Sequence, residues 1–162
     1  MNEITYRPAT EADFPSMAEM YAKLNAYFYQ VGYLLPRPEN VGELWVDSFR
    51  RTLGRFSNVF VAEGQGRLLG FHLCRLKSLP AHMGGVMVGE VSDVWVEPEA
   101  RCLGVGIALV QAGLEWMRRQ GVHSVEVQVL SQNEGSLKFF ESLGFQLEYR
   151  ALRLTWEEGD QG

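Results

Sequence analysis

The chain has 162 residues, 46% hydrophobic and 22% charged, which fits one folded globular domain and excludes a disordered chain. Its net charge of −5 and pI near 5.2 argue against a broad nucleic-acid surface and suit a cationic substrate. No apolar run approaches the ~20 residues of a membrane span, and the polar opening MNEITYRPATEAD does not read as a signal peptide. The two cysteines, Cys74 and Cys102, lie far apart and point to the reduced thiols of a cytoplasmic protein.

Ile4 to Arg7 reads as a first strand, stopped by Pro8. Thr10, with Asp13 three residues on, reads as a helix cap. Phe14, Met17, Ala18, Tyr21, Leu24 and Phe28 follow at helical spacing and predict a helix of about four turns. Pro36 and Pro38 end any helical run, and Val41, Leu44, Trp45, Ser48 and Phe49 mark a second helix. Val59–Glu63 and Leu68–Cys74 predict strands joined by the turn Gly64-Gln65-Gly66. Pro80 to Gly85 is a further turn before a long strand, Val86–Val96, which Pro98 closes. Ile107, Val110, Leu114 and Met117 give a third helix one apolar face, with Gly121 as its stop. Val125, Val127 and Val129 alternate with polar residues as in a half-buried strand. Asn133 to Leu143 predicts a fourth helix closed by Gly144, and Phe145–Trp156 a final strand with an irregularity near Arg150.

The element order is β-α-α-β-β-β-α-β-α-β. Glu90 to Leu130 forms a β-α-β unit, whose two strands should run parallel through a right-handed crossover. Hairpins make the remaining pairs antiparallel. The expectation is an α/β domain over residues 1–156, with a mixed sheet of roughly six or seven strands and about four helices. The tail 157–162 is expected to fray.

The most informative stretch is VSDVWVEPEARCLGVGIAL, residues 91 to 109. It places Arg101, Gly104 and Gly106 where a strand hands over to a helix. Amides there are unpaired and the helix dipole is positive, so the position suits a phosphate or pyrophosphate. A dinucleotide fold would want Gly or Ala at position 109, which is Leu109. A second stretch runs from Asn133 through Ser136, Phe139 and Phe140 to Gly144-Phe145. Asn133 also has a local reading as a helix cap, although Ser131 with Glu134 would form a capping box and leave it free.

Arg101-x-x-Gly104-x-Gly106 followed by the Asn133 stretch resembles the two motifs of the GNAT family, the Gcn5-related N-acetyltransferases. The opening Arg7-Pro-Ala9-Thr10-Glu-Ala-Asp13 resembles that family's first strand and helix start. The resemblance implies the GNAT acyl-CoA N-acyltransferase fold and an acetyltransferase using acetyl-CoA as cosubstrate, without a metal. The acceptor would be a small-molecule amine or a peptide amine; neither a nucleic acid nor a membrane is expected as partner, and a homodimer is a family habit. It also implies that amides from Cys102, Leu103, Gly104, Val105, Gly106 and Ile107, with Arg101, hold the pyrophosphate. Val94, Trp95 and Val96 would bind the pantetheine arm through their main chain, assisted by Asn133, Ser136 and Phe140.

The pattern breaks at Phe140, where many relatives carry a Tyr that protonates the departing thiolate. A phenyl ring cannot do so; Tyr27, Tyr29, Tyr33 and Tyr149 are alternative hydroxyls, as is water. The base is one of two carboxylates. Glu90 is the first candidate, against a salt-bridged strand-end residue, and Asp93 is the alternative or the group that holds the amine. Strict alternation puts them on opposite faces unless a bulge intervenes. Tyr27 to Pro36, with four aromatics, is either a cover over the acceptor or packing and dimer contact. His72, His82 and His123 show no metal spacing, and Cys102 is expected to face solvent.

Overall fold

The computed structural model describes residues 3–156. In chain order the elements are β1 (Thr5–Pro8), α1 (Phe14–Gln30), α2 (Val41–Arg50), β2 (Ser57–Gly64), β3 (Arg67–Ser78), β4 (Met87–Val96), α3 (Val105–Arg119), β5 (Val125–Val127) and α4 (Glu134–Ser142). The sheet order is β1-β2-β3-β4-β5. Pairs are antiparallel through β4, and β4 with β5 is parallel, as the β-α-β reading requires. The β2–β3 hairpin turns on Gln65 and Gly66, whose φ values of 55° and 74° are the left-handed pair that a two-residue hairpin turn needs.

Alternation along the strands sorts side chains to the two faces. Val59, Val61, Phe71 and Leu73 pack under α1 and α2 with Phe14, Met17, Met20, Leu24, Trp45 and Phe49. Cys74 and Val91 pack on the opposite face with Val110, Met117 and Phe140 of α3 and α4. α3 lies close to β3 because Gly113 has no side chain: a Cβ there would come within 2.3 Å of the His72 ring. His72 is fully buried at that contact and bonds Leu109 O through Nδ1 at 2.9 Å. Burial holds the imidazole neutral, its pKa pushed down to about 4.

The sheet has five strands, not six or seven. Residues 145–156, expected as the last strand, pair with nothing among the described residues and form no strand. Their alternating pattern is a strand pattern, but a strand exists only against a neighbour. The tail 157–162 lies outside the described residues. No helix among the described residues is long and apolar enough to cross a membrane.

Candidate functional site

The site is organised by one extra residue in β4. Leu73 faces Asp93 across the β3–β4 ladder, but the next residue, Cys74, faces Val91. Ser92 therefore has no partner and forms a bulge. The packing registers the same shift: Val91 and Val94, three apart, both join the α3–α4 core. Glu90 and Asp93 are thereby brought onto the other face together, where strict alternation would have separated them.

The two carboxylates sit in different surroundings. Glu90 accepts a hydrogen bond from Ser92 Oγ at 2.8 Å and pairs with Lys77, which also pairs with Glu126. Asp93 receives a 2.9 Å hydrogen bond from Trp45 Nε1 on α2. Loss of water around Asp93 pushes its pKa up to about 7, against the opposing pull of the Trp45 bond and of Arg75, with Glu90 adding to the rise. Tyr21 of α1 stacks on Trp45, rings 3° from parallel and 4.5 Å apart. Burial, with the Asp93 charge, lifts the Tyr21 hydroxyl pKa to about 12, so it stays protonated. Tyr29 and Tyr33, 5.4 Å apart edge to face, continue this wall into the α1–α2 connection. Two buried polar atoms, Asn25 Oδ1 and Trp95 Nε1, have no hydrogen-bond partner among the described residues.

On the other side of β4 a gap opens. β4 and β5 pair only at Gly89–Val125, Glu90–Glu126 and Val91–Val127. Beyond Val91, β4 runs on to Val96 paired with β3 alone, leaving its other main-chain edge open. The gap leads to the glycine loop. Cys102 and Gly104 adopt φ of 65° and 80°, and Gly104 is the N-cap of α3. The first amide to bond back into the helix is that of Ala108, to Gly104 O, so the amides of Val105, Gly106 and Ile107 remain available to an anion. Cys102 and Leu103 are exposed here. Arg101, also exposed, folds back over the strand end: its Nε bonds Val96 O at 2.9 Å and its guanidinium lies 4.7 Å over the Trp95 ring. The loop is anchored from α1, where Lys23 donates to both carboxylate oxygens of the buried Glu97 at 2.9 and 3.1 Å.

α4 closes the far wall. Asn133 is its N-cap and accepts from Ser136 N–H at 3.2 Å, so Asn133 and not Ser131 caps the helix. Its side-chain oxygen also faces Tyr27 Oη at 3.5 Å, tying the end of α1 to the start of α4. Phe140 is buried against Phe139 and Phe145 and is a core residue. Of the other hydroxyls, Tyr29 donates to Pro36 O and Tyr149 is exposed in the unpaired segment. No group of three or more His, Cys, Asp or Glu among the described residues is arranged to hold a metal.

A parallel pair that splays beside a glycine loop of open amides, with a capped helix opposite, is the arrangement that the two motifs imply. The model of the acetyltransferase (GNAT) family matches residues 17–145. The chain belongs to this family. Among GNAT relatives, a glucosamine 6-phosphate N-acetyltransferase of Trypanosoma brucei brucei is 33% identical over 133 residues, 81% of this chain and 88% of that protein. A mycothiol acetyltransferase of Thermomonospora curvata is 38% identical over 89 residues, which are 55% of this chain and only 28% of that longer protein. The GNAT structure of aminoglycoside N-acetyltransferase AAC(6')-Iy in complex with CoA superposes with a TM-score of 0.74 over 96% of each chain, at 16% identity, a likeness of fold.

Sequence reasoning missed Trp45 and Tyr21, which were assigned only to helix faces. A buried Trp needs an acceptor for its indole N–H, and that requirement is the signal that points from α2 to a carboxylate. Lys23 and Glu97, 74 residues apart, left no local trace.

Proposed function

We propose that this chain transfers the acetyl group of acetyl-CoA to the primary amine of a small molecule, with Asp93 as the base. The observation that carries the reading is Asp93 itself: a carboxyl titrating near 7, at a bulge, against an aromatic wall and beside a second carboxylate. An ordinary carboxylate is too weak a base for an ammonium of pKa ~10.4, whereas one raised to about 7 is stronger and still substantially ionised at neutral pH. Glu90, already engaged with Lys77 and Ser92, is the companion charge that draws the cation in.

In this mechanism the ammonium gives its proton to Asp93, directly or through water. The amine lone pair attacks the thioester carbonyl, and the open main-chain edge of β4 near Val94 stabilises the oxyanion. The C–S bond then breaks, CoA leaves as a thiolate, and the new amide nitrogen sheds its surplus proton to water. The open amides from Cys102 to Ile107 receive the pyrophosphate, with Arg101 bracing the strand end, and residues 94–96 receive the pantetheine arm along their free edge. Tyr27, whose Oη lies 3.5 Å from Asn133 Oδ1, supplies the proton to the thiolate in place of Phe140 and regains one through water. The two free thiols and the acidic charge suit a cytoplasmic enzyme. The glucosamine 6-phosphate relative makes amino sugars the first acceptors to test.

The test is amine-dependent thiol release from acetyl-CoA across amino sugars and their phosphates, polyamines, aminoglycosides and short peptides. Release with small amines and none with peptides is the expected result. The buried Phe140 favours a second reading, acyl-CoA binding without turnover; saturable acetyl-CoA binding with no release for any amine would select it.

A further inference from the structure

Two polar atoms on the Asp93 side of the site have no place in the fold or in the acetyl-transfer steps. Asn25 Oδ1 and Trp95 Nε1 are buried and lack a hydrogen-bond partner among the described residues. Asn25 is 4% exposed and lies in the apolar stripe of α1, one turn beyond Tyr21 and three residues before Phe28. An amide is a poor choice for a helix interior, and a leucine would fill the place without an unpaired oxygen. Trp95 packs against the α1–α2 core with its indole N–H unused. Trp45 shows the usual solution for a buried indole, an N–H given to a carboxylate.

Both atoms belong to the surroundings of Asp93. Asp93 faces Leu73 and Trp95 faces Phe71 across the β3–β4 ladder, and Leu73 and Phe71 both lie in the core under α1 and α2. The side chains of Asp93 and Trp95 therefore leave β4 on one face, from Cα atoms ~6.6 Å apart. Phe71 in turn touches Trp45, ring centroids 4.8 Å apart. On α1, burial lifts the Tyr21 hydroxyl pKa, and the Asn25 amide stands close enough to pull against that rise. Tyr21 stacks on Trp45, which holds Asp93.

The two orphans are of opposite kind, an acceptor on α1 and a donor on β4. An ammonium can donate to Oδ1 but cannot accept from the indole. A carboxylate or phosphate can accept from the indole but is repelled by Oδ1. A hydroxyl does both. We propose that Asn25 and Trp95 read a hydroxyl on the carbon beside the reacting amine, so that the acceptor is a vicinal amino alcohol, open-chain or cyclic. This rests on the reading of Asp93 as the base, which fixes where the nitrogen sits. The hydroxyl supplies both missing bonds. An amine without one shuts both atoms away from water unpaired, the loss by which sites discriminate most sharply between analogues. Simple alkylamines and lysine side chains are then rejected for what they lack.

The test uses the full chain and two amines of one shape, 2-aminocyclohexanol (cis and trans) and cyclohexylamine. Thiol release from acetyl-CoA should give a kcat/KM ~100-fold or more higher for one isomer of the alcohol than for cyclohexylamine. Asn25→Leu and Trp95→Phe should each bring that ratio below about tenfold. A merely structural change would lower both rates together and keep the ratio. Asn25→Leu should also melt no lower than the parent, since it removes an unpaired group, which separates lost recognition from lost fold. Calorimetric titration of both amines into the CoA complex reads the same preference without turnover. Binding of the alcohol tighter by about tenfold or more, abolished by Asn25→Leu, supports the pair even where no thiol is released, an outcome that removes the transfer reading alone. Equal kcat/KM and equal affinity for the two amines overturn the proposal, as does a preference that both substitutions leave unaltered.

Discussion

Past Val91, β4 offers two faces and an edge, and the two sides of the site use them differently. Toward α3 and β5 the protein presents main chain: the free edge of residues 92–96 and the amides that precede Ala108. Toward α1 and α2 it presents side chains: Asp93, Glu90, Trp45, Tyr21 and the tyrosines beyond. A main-chain surface depends on local conformation, which glycine and helix geometry fix within a few residues. A side-chain surface depends on register and on contacts between distant segments, here 48 residues apart for Trp45 and Asp93. The main-chain side can therefore stay constant while the side-chain side changes with single substitutions.

The largest test of that contrast is Gly104→Asp. Nothing lies within 4 Å of a Cβ there, but its φ of 80° strains any side chain and the carboxylate opposes a pyrophosphate. Acetyl-CoA affinity should fall by at least ~100-fold in titration calorimetry, with the fold retained. Persisting affinity would show that the anion sits elsewhere.

Asp93→Asn comes next and should leave acetyl-CoA affinity unchanged while lowering kcat/KM by ~100-fold or more. In the parent enzyme kcat/KM should rise as pH passes through about 7, and the variant should lack that limb. Stability should move the other way. The native state raises the Asp93 pKa from 3.8 to about 7, so its favourable contribution is complete below pH 3.8 and lost as pH rises to about 7. The variant should therefore melt above the parent at pH 8, and this advantage should shrink at pH 4. A rate loss without the stability gain would assign Asp93 a merely structural place.

Tyr27→Phe should lower kcat by about tenfold and spare acetyl-CoA affinity, a smaller effect because water can also protonate a thiolate. An unchanged kcat would leave water as the donor. The mildest change is Glu90→Gln. Removing a charge that raises the Asp93 pKa should slide the pH–rate profile to lower pH by less than about one unit, without abolishing activity. A loss as large as that of Asp93→Asn would make Glu90 the base.

The same contrast explains what could be read from the chain. Gly104 announced the turn into α3, because a left-handed cap before a helix is a local requirement that glycine meets. The helices from Phe14, Val41 and Val105 were legible from apolar spacing for the same reason. The Ser92 bulge was not, because it is a relation between β4 and β3 and leaves no composition signal in either. It alone decides that Glu90 and Asp93 share a face. The last strand was legible as a pattern, yet its pairing could not follow from the pattern, since no partner stands beside it among the described residues. Asn133 carried a cap reading beside the pantetheine contact that the resemblance implies, and the Ser136 N–H bond makes the cap visible.

The two thiols end in opposite conditions. Cys74 is fully buried beside His72, where burial lifts its pKa well above the ordinary thiol range, while Cys102 stands exposed in the loop before α3. A thiol-reactive dye applied to the native protein should therefore label one position just ahead of Gly104 and leave the other untouched until unfolding. That makes the loop its own reporter: quenching of a single fluorophore would follow donor binding in real time, and the slow appearance of a second reactive thiol would clock the opening of the core.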